Sequence, residues 1–116
     1  MVLLHGYGLD RTMWAPQLAA LEGWTVLNLD IRGHGDSRPC ADFSIPQAAE
    51  DLRAVLVKER CRAPVLVGLS MGGYVVQEYA WQFGGCAGYL VAGATPILLD
   101  CYSGWERAGL RASTPL

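Results

Sequence analysis

Gly68-Leu69-Ser70-Met71-Gly72-Gly73 sets one hydroxyl nucleophile between two glycines. An apolar run, Pro64-Val65-Leu66-Val67, precedes it, and a helical pattern from Tyr74 to Phe83 follows. A serine in that setting reads as a nucleophile elbow, a sharp turn from strand to helix that holds the serine in a strained conformation. Such a turn brings together the residues two places either side of the serine. Gly68 and Gly72 therefore remove side chains that would collide. The hydroxyl is left exposed at a helix N-terminus, where unpaired amides and the helix dipole favour negative charge. An oxyanion forming on an acyl carbon beside Ser70 would be stabilised there. The chemistry implied is nucleophilic acyl transfer. The plain alternative is an ordinary glycine-rich turn between a strand and a helix.

The elements that must position Ser70 follow from hydrophobic pattern. Val2-Leu3-Leu4 reads as a strand entering a glycine-rich loop, His5-Gly6-Tyr7-Gly8. Residues 13–22 suit a helix, with Trp14, Leu18 and Leu21 at helical spacing. Trp24 to Leu29 is a second strand, running into the loop Asp30-Ile31-Arg32-Gly33-His34-Gly35-Asp36-Ser37. Ser44 and Gln47 form a capping-box pattern ahead of a helix whose apolar stripe is Ala48, Ala49, Leu52, Val55 and Leu56. Residues 64–69 are a third strand. The following helix carries Val75, Val76, Tyr79, Ala80 and Phe83 on one side, and Tyr89 to Ala92 is a fourth strand. Ser103 to Leu116 shows no clear element. Strand and helix alternate throughout, and the strands are continuous apolar runs. Together these predict an α/β fold, a parallel sheet with helices on both faces.

The bulk numbers narrow the classes. The 116 residues are 52% hydrophobic and 17% charged, which argues for one small packed domain and against disorder. The net charge is −2 with no basic cluster, so nothing points to nucleic acid. Arginine outnumbers lysine eight to one, which carries no functional reading. Cys40, Cys61, Cys86 and Cys101 lie far apart, without the spacing of a zinc site, and read as reduced thiols. No secretory signal and no membrane-spanning apolar stretch is visible, so a cytoplasmic location is the expectation.

His5-Gly6-Tyr7-Gly8, Trp14, Asp30-x-Arg32-Gly33-His34-Gly35-x-Ser37 and Gly68-x-Ser70-Met71-Gly72-Gly73 stand in the order and spacing of the α/β-hydrolase superfamily. The chain resembles its esterase, lactonase and C–C hydrolase branch over residues 2–96. The resemblance implies that the first strand lies beside the third, so that the His5-Gly6-Tyr7 loop and Ser70 face one another at a topological switch point. It assigns Ser70 as the nucleophile and the backbone N–H groups of Tyr7 and Met71 as the oxyanion hole. It implies no metal and no organic cofactor. A small-molecule ester or related compound is the implied partner. Serine at the elbow separates the chain from the haloalkane and epoxide branches, which place aspartate there.

The same comparison predicts an incomplete core. The family usually has two further strands before the one at Val2–Leu4, and a lid, an acid and a histidine after the fourth strand. The chain of residues 1–116 therefore reads as a single partial domain, an internal piece of such a hydrolase or a truncated product. No histidine follows Ser70, so no base can be carried over. His5 reads as a structural residue that shapes its loop, and His34 as an organiser of the sheet rim. Asp100 is a candidate triad acid or, in the plainer reading, a surface residue. Asp30 is expected to satisfy loop amides, and Arg32 either pairs with a nearby acid or is a solvated loop charge. Trp14 packs under the oxyanion loop rather than contacting substrate, Tyr7 lines the pocket or serves through its amide alone, and the Met71 side chain either touches substrate or packs the start of the helix in the core. Two other functions fit the same scaffold: a non-catalytic small-ligand binder and a cofactor-free perhydrolase. The outer strands, Trp24–Leu29 and Tyr89–Ala92, would be open edges and so a route to self-association.

Overall fold

A computed structural model of the chain describes residues 1–95. Four short strands carry it: β1 (Val2–Leu4), β2 (Leu27–Leu29), β3 (Val65–Leu69) and β4 (Gly88–Ala92). They form one parallel sheet in the order β2-β1-β3-β4, with Val2 opposite Leu27 on one side and Leu66 on the other. β1 therefore lies between β2 and β3, as expected. The connection from β1 steps one way along the sheet and the later ones step the other way. With right-handed crossovers, that change of direction sends the connecting helices to opposite faces.

One face is thickly covered. Helix α2 (Ile45–Lys58) and helix α3 (Met71–Gln82) pack on each other. Val2, Leu4 and Leu66 of the sheet join Ala49, Leu52, Leu56, Val75, Val76 and Tyr79 of the helices in one buried cluster. Leu3 and Val67, one residue out of phase, are also buried but point to the other face. The segment after β1 touches β1 and β2. Ser44 caps α2, the Gln47 N–H donating to its hydroxyl at 3.2 Å, but the Gln47 side-chain oxygen accepts from that hydroxyl at 3.1 Å and not from the Ser44 N–H of a full capping box.

Three boundaries differ from expectation, each for a physical reason. The helix expected over 13–22 is a string of tight turns: a 3₁₀ turn at Arg11–Trp14, the short α1 (Ala15–Leu18), and another 3₁₀ turn at Ala19–Leu21. Pro16 is tolerated only in a first turn and Gly23 ends the run, so no long helix propagates. The strand expected from Trp24 pairs only at Leu27–Leu29, because its neighbour β1 is itself three residues long. Helix α3 starts at Met71 rather than Tyr74. Gly72 and Gly73 look like helix breakers in the sequence, but here they lie in the first turn, where a Cβ on Gly72 would meet the Leu4 backbone and one on Gly73 the Val91 and Ala94 side chains. Among the described residues no helix is long and apolar enough to cross a membrane.

Candidate active site

Ser70 lies between β3 and α3 with φ 51° and ψ −114°, the positive φ that an elbow requires. The conformation is imposed from three sides. The Ser70 N–H donates to the Ala92 carbonyl at 2.8 Å, so β4 holds the turn. A Cβ on Gly68 would lie 2.2 Å from the Gly72 carbonyl oxygen. A Cβ on Gly72 would lie 2.2 Å from the Leu4 carbonyl oxygen and 2.7 Å from that of His5. Both glycines are thus excluded from bearing side chains by backbone, which cannot give way. The Ser70 side chain makes no capping bond to its helix, and the residue is exposed.

The loop after β1 lies against this turn. A Cβ built on Gly6 would be 3.7 Å from the Ser70 Cβ and 3.7 Å from the Leu69 carbonyl oxygen. Met71 opens α3, so its N–H has no acceptor one turn back. Tyr7 is 79% exposed, and its ring meets that of His34 edge-on, with centroids 5.7 Å apart. Met71 itself is buried in the core, which favours the packing reading of its side chain. Trp14 is half-buried, and its indole N–H is enclosed without an acceptor among the described residues.

Among the described residues neither histidine is hydrogen-bonded to the Ser70 hydroxyl. His5 is fully buried and both ring nitrogens are engaged with backbone: Nδ1 with the Gly6 carbonyl at 2.8 Å, Nε2 with the Ile31 N–H at 3.0 Å. Burial lowers its pKa below 6.5, outweighing the favourable Gly6 carbonyl. His34 bonds through Nδ1 to the Arg32 carbonyl at 3.0 Å and stacks among His5, Tyr7 and Phe43. Asp30 does satisfy loop amides, accepting from the N–H groups of Arg11 at 2.7 Å and Asp36 at 3.0 Å. Burial alone would raise its pKa. Those amides and the Arg11 guanidinium outweigh burial and hold it below the ordinary value. Arg32 pairs with Asp51 at 2.7 Å and Asp42 at 3.2 Å, which ties the rim loop to α2. Asp100 lies outside the described residues. A hollow of about 360 Å³, bordered by Leu29, Asp30, Ile31, Asp51 and Leu52, sits at the β2 edge and does not include Ser70.

Sequence reasoning did not foresee Arg11 as a partner of Asp30, nor the tie from the segment after β4 to α3. There the Gln77 amide donates to the Thr95 carbonyl at 3.2 Å, and the Tyr74 hydroxyl meets the Thr95 hydroxyl at 3.1 Å. Among the described residues no cluster of histidine, cysteine and carboxylate side chains could hold a metal ion.

Comparison with known proteins decides the family, because the match to the Alpha/beta hydrolase family runs over all of residues 1–116. The chain belongs to that family. A 2-succinyl-6-hydroxy-2,4-cyclohexadiene-1-carboxylate synthase of an Enterobacter species is 35% identical over 101 residues, covering 86% of this chain and 39% of the synthase. A thermophilic esterase from Thermogutta terrifontis is 31% identical with a TM-score of 0.77, covering 96% of this chain and 43% of the esterase. The N-acyl homoserine lactonase AidH is 25% identical with a TM-score of 0.78, covering 86% of this chain and 39% of the lactonase. The chain thus spans about two fifths of the length of each of these family members.

Proposed function

We propose that this chain carries the nucleophile and the oxyanion donors of a serine hydrolase that acts on carboxylic esters, lactones or related acyl or C–C bonds. The elbow carries the reading: Ser70 at positive φ, with backbone packed against the missing Cβ positions of Gly68 and Gly72. The Ser70 hydroxyl attacks the carbonyl carbon and gives its proton to an external base, which returns it to the leaving group. The N–H groups of Tyr7 and Met71 receive the oxyanion, an acyl-serine forms as the leaving group departs, and water releases the acid. The likeness to an esterase and a lactonase supports the acyl chemistry.

No histidine follows Ser70, and neither His5 nor His34 is hydrogen-bonded to it among the described residues, so the chain alone should turn over slowly. An oxyanion hole without its triad leaves roughly 10³–10⁴ over water. The test is release of p-nitrophenol from an activated aryl ester, with and without added imidazole as an external base. Imidazole cleaves such esters by itself, so its rate without protein is subtracted; the expected result is weak release above that background, accelerated by imidazole in the parent chain and not in Ser70→Ala. Equal imidazole-dependent rates in both would overturn the assignment of Ser70.

A further inference from the structure

We propose that the hollow where α2 and α3 end binds a small phosphate monoester, with Arg53, Arg60 and Arg62 around the phosphate and apolar side chains beside the ester group.

The hollow measures about 320 Å³ and lies at the end of the sheet away from Ser70. Pro64, which borders it, comes just before β3, and Ser70 comes just after β3. Acyl chemistry at the elbow therefore does not account for it. Arg53 enters from α2, and Arg60 and Arg62 from the loop between α2 and β3. No acidic residue borders the hollow. None of the three guanidinium groups pairs with a carboxylate among the described residues. Like charges gathered around one concavity repel one another, and a bound anion reverses that cost.

Arginine near a helix C-terminus ordinarily serves the terminal carbonyls. Here the backbone already serves them. The Cys61 N–H donates to the Leu56 carbonyl at 2.9 Å and the Arg60 N–H to the Val57 carbonyl at 3.1 Å, the paired bonds of a Schellman turn. At the end of α3 the Tyr79 carbonyl accepts from Phe83 at 2.9 Å and Gly84 at 3.3 Å. Arg60 holds the left-handed position of the first turn, with φ 52°. Glycine takes that conformation without strain, so an arginine there costs backbone stability. What it adds is its side chain.

Arg53 is held in place without being neutralised. Its Nη1 donates to the Tyr79 hydroxyl at 3.3 Å, and its Cζ lies 5.3 Å from the centre of the Phe83 ring. Both contacts fix the guanidinium, and neither carries a full negative charge. The planar donor pairs of arginine match phosphate oxygens two at a time, and a dianion answers more of the gathered charge than a single carboxylate would. Leu56, Val57 and Phe83 supply the apolar surface beside it.

Equilibrium dialysis of the whole chain against phenyl phosphate tests the proposal. The expected result is binding of phenyl phosphate, weaker binding of inorganic phosphate and none of phenol. Phenylmalonate, which carries the same ring on two carboxylates, should also bind more weakly. Arg60→Gly and Arg62→Gln should each weaken phenyl phosphate about 10-fold or more, in line with lost hydrogen bonds to a charged group. Arg60→Gly also relieves the positive φ, so its thermal midpoint should rise and its lost binding cannot come from unfolding. Arg38→Gln removes the same charge elsewhere, from a side chain bonded to the Gly35 carbonyl at 3.0 Å, and should leave the affinity nearly unchanged. Equal losses in all three variants would reveal diffuse charge attraction. Undiminished binding in Arg60→Gly and Arg62→Gln would put the anion elsewhere on the chain. Either result overturns the proposal, as do equal binding of phenylmalonate and no binding of phenyl phosphate at millimolar concentration.

Discussion

Ser70 adopts a backbone conformation that L side chains rarely take, and its neighbours enforce it. Residues held in such regions carry strain of about 1–3 kcal/mol, which glycine does not pay. Ser70→Gly should therefore be more stable than Ser70→Ala by about 1 kcal/mol, even after the larger entropy of glycine in the unfolded chain is counted. Urea denaturation of the two variants measures this. A lower midpoint in Ser70→Gly would show that the turn is not strained. The strain was legible in the sequence, because a serine with glycines two places away on each side answers a local steric need. The role of His5 was legible only in part. Its motif suggested a residue that shapes the loop, but the bond to Ile31 joins positions 26 apart. The same limit hid Arg11, whose pairing with Asp30 spans 19 positions and has no sequence signal of its own.

At the scale of elements, the junction of β1, β3 and α3 is made by close backbone contact rather than by side chains. Gly68 and Gly72 each leave only 2.2 Å between a would-be Cβ and a carbonyl oxygen, whereas a Cβ on Gly6 would meet nothing closer than 3.5 Å. The three motif glycines are therefore not equivalent. Gly68→Ala and Gly72→Ala should each cost roughly 3 kcal/mol or more, because β1, the elbow and α3 must move apart. Gly6→Ala should fold with nearly unchanged stability. Thermal unfolding of the three variants gives the comparison, and a Gly68→Ala chain as stable as Gly6→Ala would contradict the packing described here. This contrast explains which boundaries the sequence revealed. The strands β1, β3 and β4 and helix α2 show in the hydrophobic pattern and in the Ser44 cap. The start of α3 does not, because Gly72 and Gly73 signal a loop by propensity and serve a helix by necessity. The turns over 11–21 do not either, since spacing alone cannot separate an α-helix from a run of 3₁₀ turns.

For the whole molecule, the parallel order β2-β1-β3-β4 leaves β2 and β4 with one neighbour each among the described residues. The core is built mainly on one face, between the sheet, α2 and α3. Among the described residues β4 pairs with β3 alone, and its side chains are partly exposed: Tyr89 38%, Leu90 53% and Val91 36%. Unpaired amides and carbonyls along an apolar strand are a template for pairing with another chain. A parallel sheet also folds through non-local contacts, which prolongs exposure of those edges. Residues 1–116 should therefore associate with their own kind at micromolar concentration. A lysine at an exposed strand position opposes edge pairing, so Leu90→Lys should shift the population towards monomer with little loss of core packing. Leu56→Ala provides the contrast: its side chain is only 3% exposed in the cluster between the helices. It should lower stability by about 2–5 kcal/mol without relieving association. Size-exclusion chromatography with light scattering, run beside thermal melts, separates the two effects. A parent chain that elutes as a monomer and melts in one cooperative transition would show that its outer strands are closed off within a single molecule.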